Sequence, residues 1–503
     1  MKLIKISNII FSLILFSCSK TTNVPLPITT SSSEALEQYN RGYYEWGNHD
    51  GQKRYQYMNE ALKLDPDFIM ANLHINEPNP NKWKQYRDNA VNNKNNGSEA
   101  ERIRVDIFIA NREGNTNKAF SLAEELVTKY PNSSQAYEVL GNVYNNIRNF
   151  EMAEENYKKA TKLDPNNVSA FWLLASHHIN VYTGQIILPE DKRDDRLGIK
   201  YVDKMIKLRP EAAVGYQIKG NVERAKSNFE EAKGWYEKAL EKRTASNSAI
   251  SGLLGVAAHN YLFNGELDKA QEYYDKAIAK GTTPNSKVSA ANFKIQSFLY
   301  LDDFDGAIKV SNELILDVDD FGFSKAGVLG AKAGFEIRKF LAHAQSQNKK
   351  DAYTALLARE KYASKRIELI DDDEIDRRNF SATNARMKAW YHILFGEYDK
   401  AKEELTTFKN IMENVESPDA LDHYNAMMGM VALFSGNVDE AMSLLGEKYD
   451  VESYPYYSYF RALALGGSGE SGKANIIFLQ LANYNFNDLE VALVKSLAKK
   501  QLG

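Results

Sequence analysis

The sequence predicts an all-α fold, a solenoid in which antiparallel helix pairs stack one after another. A repeat supports this prediction, because Pro131 and Pro165 end two consecutive units and lie 34 residues apart. Within a unit, apolar residues recur three and four positions apart, which is the spacing of one helix face. The composition of the 503 residues, 43% hydrophobic and 26% charged, is that of an ordinary globular protein and excludes collagen-like and wholly disordered chains.

Residues 1–17 are predicted to be a lipoprotein signal peptide. Lys2 and Lys5 precede an apolar run at residues 9–16, which is the order of a secretory signal, and the run is too short to cross a membrane. Residues 15–18, Leu-Phe-Ser-Cys, resemble the lipobox of bacterial lipoproteins. The resemblance implies that Cys18 is lipidated and becomes the first residue of the mature chain. A cleaved secretory signal with an incidental cysteine is the alternative.

Cys18 is the only cysteine, so the chain can form no internal disulfide and no cysteine-based zinc site. Ser19, rather than an aspartate, follows it. Resemblance to lipoprotein sorting patterns therefore implies the outer membrane, with the periplasmic and surface faces both open. Serine, threonine and proline dominate the next stretch, so residues 18–33 are predicted to be the lipidated cysteine and a flexible tether.

Residues 34–320 are predicted to form the N-terminal part of the solenoid. Its first unit runs from Tyr39 to Pro66. Residues 68–95 are expected to hold a degenerate helix pair, because Pro78 and Pro80 disfavour the interior of a helix.

The clearest unit lies between Pro131 and Pro165. Small and aromatic residues occupy fixed positions in its two helices, namely Ala136, Tyr137, Leu140, Gly141, Tyr144, Ala153, Tyr157 and Ala160. This pattern resembles the tetratricopeptide repeat, in which small residues let two helices approach closely and tyrosines fill the space between pairs. The resemblance extends along the chain through one small residue near the start of each second helix, namely Ala119, Ala153, Gly198, Ala232, Ala270, Ala307, Ala401, Ala441 and Ala474.

The spacing of these small residues lengthens at two places. An interval of 45 residues after Ala153 indicates an insert at residues 181–196, which either contacts a ligand or is inert. A longer interval after Ala307 indicates an irregular repeat at residues 321–380 with two helices longer than usual. Residues 381–503 are predicted to be C-terminal repeats with a closing helix near residues 489–499. The sequence therefore predicts about twelve helix pairs and one closing helix.

Three motifs that resemble functional sites are predicted to be structural. Residues 467–474 have the frame of a phosphate-binding loop, but Ala474 replaces the required Ser or Thr and no strand precedes it, which predicts an inter-helix turn and no nucleotide. Residues 301–306 resemble a calcium loop, yet Leu301 stands where the first carboxylate belongs. His177 and His178 diverge by about 100° on a helix, so no metal site is expected.

The resemblance also implies where partners bind. In tetratricopeptide-repeat proteins the first helices of successive repeats line a concave groove that holds peptides or partner proteins. Matching the motif gives the groove-facing candidates Glu138, Asn142, Asn145, Trp172, Ser176, Gln217, Asn221, Arg224 and His259. Trp172 is the foremost candidate, because an exposed tryptophan on a concave face is costly without a partner. Each candidate could equally be a solvated position without a ligand.

Two functional interpretations remain. The 63 basic against 67 acidic residues give a net charge of -4 and no reason to expect nucleic-acid binding. No catalytic or cofactor motif is found, which favours a non-enzymatic protein without a cofactor. The preferred interpretation is a lipid-anchored scaffold that binds partner proteins or peptides in its groove, in assembly or regulation of the bacterial envelope. The alternative is a glycan-binding or nutrient-binding outer-membrane lipoprotein of an uptake system, a class that usually interrupts its repeats with long loops.

Overall fold

The computed structural model of the chain describes residues 23–179, 188–371 and 373–503. These residues form twenty-five α-helices and no β-strand. Each odd-numbered helix packs against the helix that follows it, which gives twelve consecutive pairs and one last helix. The predicted all-α solenoid is therefore confirmed. The predicted signal peptide and Cys18 lie outside the described residues. None of the helices in the described ranges is both long enough and apolar enough to span a membrane.

The helix bounds follow the predicted order of units. The first four pairs are α1 Ser33–Gly47, α2 Gly51–Leu64, α3 Ile69–His74, α4 Pro80–Asn93, α5 Glu99–Glu113, α6 Thr116–Lys129, α7 Ser134–Asn146 and α8 Phe150–Leu163. The next four are α9 Val168–His178, α10 Asp195–Leu208, α11 Val214–Ala225, α12 Phe229–Ala245, α13 Ser251–Phe263, α14 Leu267–Ala279, α15 Pro284–Leu299 and α16 Phe304–Asp317. The rest are α17 Lys325–Gln345, α18 Lys349–Leu369, α19 Glu374–Leu394, α20 Tyr398–Met412, α21 Asp422–Phe434, α22 Val438–Leu444, α23 Pro455–Gly467, α24 Ser471–Ala482 and α25 Leu489–Leu502.

Glycine and tyrosine hold the two helices of a pair together. A β-carbon on Gly141 would lie 2.5 Å from the Tyr157 ring, and one on Gly220 would lie 2.5 Å from the Tyr236 ring. Only glycine allows these contacts, so each tyrosine packs directly on the backbone of the partner helix. The small residues predicted at the start of the second helices are all buried. Ala352 of α18, also buried, is the member that the sequence analysis missed.

The irregular region contains three long helices. α17, α18 and α19 have 21 residues each, whereas most other helices have 12 to 17. The two long helices expected between residues 321 and 380 are present as α17 and α18. The third long helix extends beyond residue 380, so the region is longer than its predicted bounds.

The motifs predicted to be turns lie between helices. Gly469 adopts a left-handed φ of 91° between α23 and α24, and Lys473 of the phosphate-loop frame pairs with Glu470. Asp303 begins α16 by accepting a hydrogen bond from the amide of Gly306. Both motifs therefore serve as helix connections of the kind that joins every pair.

The solenoid curves until distant pairs meet. The guanidinium of Arg112 on α5 lies 2.7 Å from the Asp373 carboxylate just before α19. Arg193, which precedes α10, pairs with Glu452 at 2.7 Å, and the guanidinium of Arg148 lies 4.8 Å from the Tyr454 ring centroid. The N-terminal and C-terminal halves of the chain therefore pack against each other, and part of the concave face lies between them.

The predicted flexible tether does not hold for residues 23–32. Leu26 is buried against α5, α6 and α7, and Ile28 packs against α1 and α2. The amide of Val24 donates to the carbonyl of Asn132 at 2.9 Å. Alternating apolar side chains hold this stretch as an extended segment, which we call the N-terminal segment. Its Ser, Thr and Pro content suggested flexibility because composition ignores that alternation.

Candidate functional site

The concave face contains a cavity of about 520 Å³, which we call cavity A. The first helices α1, α5 and α7 line it, together with the end of α3, the start of α9 and the N-terminal segment. One side of the cavity is closed because the first pair reaches the fifth: Nη1 of Arg209, after α10, donates to the Tyr44 carbonyl and to Oδ1 of Asn48, both at 2.7 Å. Cavity A is therefore the interior of the first superhelical turn, and its size is typical of ligand sites.

One wall of cavity A is the N-terminal segment, and repeat side chains hold its backbone. The amide of Leu26 donates to Oε1 of Gln135 at 3.1 Å. The amide of Thr29 donates to both carboxylate oxygens of Glu101 at 3.1 Å. Oδ1 of Asn23 accepts from the amide of Ser134 at 2.9 Å. The first helices α5 and α7 thus bind an extended peptide of this chain beside the cavity.

Two arginines near cavity A donate hydrogen bonds to the carbonyls at the end of α3. Nη2 of Arg54 donates to the carbonyl of His74 at 2.6 Å, and Nη2 of Arg87 donates to the carbonyl of Ile75 at 2.8 Å. Carbonyls at the end of a helix lack partners and carry partial negative charge, so they attract cations. Burial lowers the pKa of each arginine to about 10, which leaves both charged at neutral pH. The charges of Arg54 and Arg87 therefore stabilise the end of α3.

Arg104 on α5 also lines cavity A but has no such use. Its Nη2 contacts Nε2 of His74 at 3.3 Å, and its Nη1 is buried without a hydrogen-bond partner in the described part of the chain. Burial, together with the charges of Arg104 and Arg54, lowers the pKa of His74 well below its usual value, so the ring is neutral. Because a guanidinium can only donate, Nε2 of His74 accepts from Arg104. The proton of the His74 ring is therefore on Nδ1, which faces the Tyr39 hydroxyl. Arg104 therefore brings to cavity A a positive charge whose Nη1 still has a donor to offer.

Glu138 on the neighbouring helix α7 gives cavity A an acidic group. Its carboxylate accepts from Asn167 at 2.9 Å and from Ser169 at 2.8 Å. Burial raises the pKa of Glu138, although these hydrogen bonds oppose the shift. Burial and the Glu138 carboxylate also raise the pKa of the Tyr43 hydroxyl in the same cavity. Cavity A therefore presents the Arg104 guanidinium, with an unused donor at Nη1, and the hydrogen-bonded Glu138 carboxylate on adjacent helices, and these two charges attract each other.

Side-chain amides form much of the remaining polar lining of cavity A. They belong to Asn40, Asn111, Gln135, Asn142, Asn146, Asn166 and Asn167. Each amide offers both a donor and an acceptor, which is the combination that recognises a peptide backbone. Aromatic rings on α1 add apolar surface, and Trp46 among them is 38% exposed. The lining suits an extended peptide that carries both backbone groups and an apolar side chain.

The nine predicted groove residues separate into three groups. Glu138 and Asn142 line cavity A. Asn145, Trp172 and Ser176 are packed between helices. Gln217, Asn221, Arg224 and His259 line a second cavity of about 440 Å³, which we call cavity B. The repeat register therefore placed most candidates on the concave face, although one continuous groove was expected and two cavities are found.

The middle group has internal contacts. Asn145 donates to the Tyr157 hydroxyl at 2.6 Å, and Oγ of Ser176 donates to the Trp172 carbonyl at 2.9 Å. Trp172 is half-buried, with its ring centroid 4.7 Å from that of His49 in the first pair. Trp172 was the foremost candidate because it was expected to be exposed. It is not fully exposed, because the curvature of the superhelix brings His49 against its ring. His49 also lines cavity B, so this ring contact lies at one edge of that cavity.

The histidine pair is packed, as expected. Nε2 of His177 lies 3.1 Å from Oδ1 of Asn145, and Nε2 of His178 lies 2.8 Å from Oε1 of Glu154. Burial opposes ionisation of Glu154, but the hydrogen bonds from His178 and Lys158 lower its pKa to about 2. The described ranges contain no group of three or more metal-ligating side chains.

Three parts of the site were not predicted from the sequence. Arg104 lies 34 residues before Glu138, in the same register, and that spacing could have identified it. The N-terminal segment and residues 484–488 reach the concave face from distant parts of the chain. Their contacts depend on how the superhelix closes, and a local sequence motif contains no information about that closure.

The sequence pattern of the tetratricopeptide repeat matches residues 134–167 and 252–279. These ranges correspond to the pairs α7–α8 and α13–α14, which have the same packing as their neighbours. The protein therefore contains tetratricopeptide repeats at these two places.

Several known proteins are similar to this chain. The mitochondrial import receptor subunits TOM70 of Mus musculus and Homo sapiens are 24% and 23% identical over 133 residues, or 26% of this chain. The match spans only 20% of the length of these curated relatives. The solved structure of MamA protein covers 36% of this chain and 91% of its own, with 20% identity and a TM-score of 0.28. A tetratricopeptide repeat protein from Parabacteroides merdae covers 57% and 98%, with 16% identity and a TM-score of 0.31. TM-scores this low carry no argument about shared function.

Proposed function

We propose that this protein is a non-enzymatic interaction scaffold that binds an extended segment of a partner protein in cavity A. The observation that carries the proposal is the N-terminal segment, because α5 and α7 already hold an extended peptide there through Gln135 and Glu101. Cavity A continues alongside that segment and offers further amides for a second strand of peptide. The curated relatives are receptor subunits, which agrees with recognition of proteins.

The bound segment is proposed to carry an acidic group opposite Arg104. A guanidinium without a carboxylate partner is costly when it is partly buried, and an incoming anion removes that cost. Asp and Glu side chains and a free C-terminal carboxylate share this chemistry. Aromatic rings such as Trp46 would contact a neighbouring apolar side chain.

Photo-crosslinking tests this proposal directly. A photoreactive phenylalanine analogue at Asn142, which is exposed and lines cavity A, is expected to capture a partner protein from the envelope of the source cell. The matched control carries the analogue at Glu155, an exposed position on the second helix α8. Arg104→Gln should reduce the Asn142 adduct about tenfold, whereas Arg102→Gln, exposed on the same helix, should not.

Equal capture from Asn142 and Glu155, or an adduct unaffected by Arg104→Gln, would contradict the proposal. Binding on a glycan array that Arg104→Gln abolishes would instead support the alternative of a nutrient-binding lipoprotein.

We further propose that Cys18 attaches the protein to the outer membrane through a lipid. The support is the lipobox-like sequence at residues 15–18 and the serine at position 19. Incorporation of a labelled fatty acid by the wild type, and its loss in Cys18→Ser, is the expected result. A label that persists in Cys18→Ser would reject the anchor. A role in envelope assembly or regulation then follows from the location.

A further inference from the structure

The connection between α24 and α25 crosses the concave face of the solenoid. Residues 484–488, which we call the resident segment, form neither helix nor strand. They lie against the first helices α11, α13 and α15 near the middle of the chain. All four residues from Tyr484 to Asn487 are less than 10% exposed. A surface connection rarely buries so much of itself, so its contacts require an explanation.

Asn485 uses its backbone and its side chain on α11. Its carbonyl accepts from Nε of Arg224 at 2.9 Å. Its Nδ2 donates to Oγ of Ser227 at 3.0 Å and to the carbonyl of Arg224 at 3.3 Å. Its Oδ1 accepts from Nζ of Lys495 at 3.0 Å. Both ends of the amide and the main-chain carbonyl are thus recognised.

Asn487 is recognised in the same way two residues later. Its Oδ1 accepts from Nε2 of Gln296 at 3.0 Å. Its Nδ2 donates to the Tyr274 hydroxyl at 2.9 Å and to the carbonyl of Phe293 at 3.2 Å. Together these groups come from α14 and α15. The site therefore suits asparagine, because its planar amide places an acceptor and two donor hydrogens at the end of one short side chain, and the structure uses both ends.

Phe486 lies between the two asparagines and supplies the apolar contact. Its ring is 4% exposed, with the Arg224 guanidinium 5.0 Å from the ring centroid. Its carbonyl accepts from the Tyr300 hydroxyl at 2.6 Å. The resident segment is thus held as a ligand is held, by one aromatic anchor and by polar contacts to backbone and amides. Cavity B adjoins Phe486 and Asn487 and extends the same surface toward Gln217.

We propose that this surface is a second peptide-binding site, and that an extended partner segment with an aromatic residue between two asparagines exchanges with the resident segment. The incoming segment can replace the polar contacts one for one and can also occupy cavity B. Exchange requires α25 to open from the end of the solenoid. α25 packs on α23 and α24 and also on α15, so this opening breaks the contacts of α25 with all three helices. This proposal does not depend on cavity A, which lies in another turn.

A fluorescent peptide with the sequence of residues 482–489 tests the proposal on the full-length protein. Phe486→Ala loosens the resident segment and leaves the proposed site intact. The variant is expected to bind the peptide at least about tenfold more tightly than the wild type, because a tethered competitor acts at about millimolar effective concentration. Tyr274→Phe in the Phe486→Ala background should weaken binding, whereas Tyr273→Phe on the same helix should not. A peptide with alanine at the positions of Asn485 and Asn487 should not bind.

Hydrogen exchange on the wild type supplies a second measurement that does not need a folded variant. Saturating peptide is expected to speed exchange in residues 484–488 while slowing exchange in α11 and α15. The proposal is overturned if Phe486→Ala keeps its helical content yet binds no peptide. It is equally overturned if saturating peptide leaves wild-type exchange unchanged, or if binding occurs but Arg104→Gln rather than Tyr274→Phe abolishes it.

Discussion

Two sections of the concave face have the same local construction and different coverage. In the section of α5 and α7, Gly141 packs on Tyr157 and cavity A remains between the helices. In the section of α11 and α13, Gly220 packs on Tyr236, but the resident segment lies across the face. The repeat motif therefore determines how helices pair. A distant part of the chain determines whether their concave face is available.

The two sections also differ in how they use an arginine. Arg224 is 2% exposed and donates to the carbonyls of Asn485 and Val256. Arg104 makes one contact with His74 and keeps a buried Nη1 without a partner in the described residues. We infer that Arg224 contributes to folding whereas Arg104 is kept for binding.

The largest expected effect tests this difference. Arg224→Ala should lower the free energy of unfolding by about 3 kcal/mol, because it removes charge-assisted hydrogen bonds and leaves buried carbonyls unpaired. Arg104→Ala should cost less than about 1 kcal/mol, since it removes a long contact with His74 and also removes a partly buried charge. Urea unfolding followed by circular dichroism measures both. Equal costs for the two variants would break the comparison.

The next effect should be the same in both sections. Gly141→Ala and Gly220→Ala should each destabilise by about 2 kcal/mol, because the new methyl group would lie 2.5 Å from a tyrosine ring. Gly234→Ala on α12, where nothing lies within 4 Å, is the matched control and should be neutral or stabilising by up to about 1 kcal/mol. A clear inequality between the two glycine variants would show that the sections differ locally as well.

The third effect depends on pH, is smaller per pH unit than the two effects above, and should appear only under the resident segment. Burial lowers the pKa of Lys495 to about 7, where its Nζ donates to the carbonyl of Tyr484 at 2.7 Å. An unfolded lysine has a pKa of about 10.4, so between these values the unfolded state binds more protons. The free energy of unfolding should therefore rise with pH from about 7 to about 10, by at most about 1.4 kcal/mol per pH unit.

Lys495→Met removes that titrating group. Urea unfolding at pH 7, 8 and 9 should show a flatter profile for this variant than for the wild type. Lys473→Met, an exposed lysine on α24, should leave the profile unchanged. A wild-type profile that falls over this range would contradict the assignment.

The order and number of the helix pairs could be predicted from the sequence because each repeat depends on local spacing. Gly141 and Ala153 indicate that two helices approach closely, and both residues belong to the same repeat unit. The concave position of Glu138 and Asn142 followed from the same register. These predictions needed no knowledge of the rest of the chain.

The coverage of the concave face could not be predicted in this way. Arg224 and Asn485 are 261 residues apart, and their contact exists only because the superhelix closes on itself. Trp172 looked exposed for the same reason, since His49 reaches it from the first pair. The spacing of Leu26 and Ile28, two residues apart, is the signal that could have revealed the N-terminal segment as extended and docked.

The docked N-terminal segment has a consequence for distance. Asn23 is fixed at the edge of cavity A, and it is only five residues further along the chain than Cys18. A fully extended chain advances by at most about 3.6 Å per residue, so Cys18 can lie no more than ~18 Å from Asn23. A lipid on Cys18 would therefore hold the entrance of cavity A next to the bilayer surface. Partner segments that travel along the membrane would then reach the cavity by diffusion in two dimensions, while those in free solution would approach past the lipid headgroups.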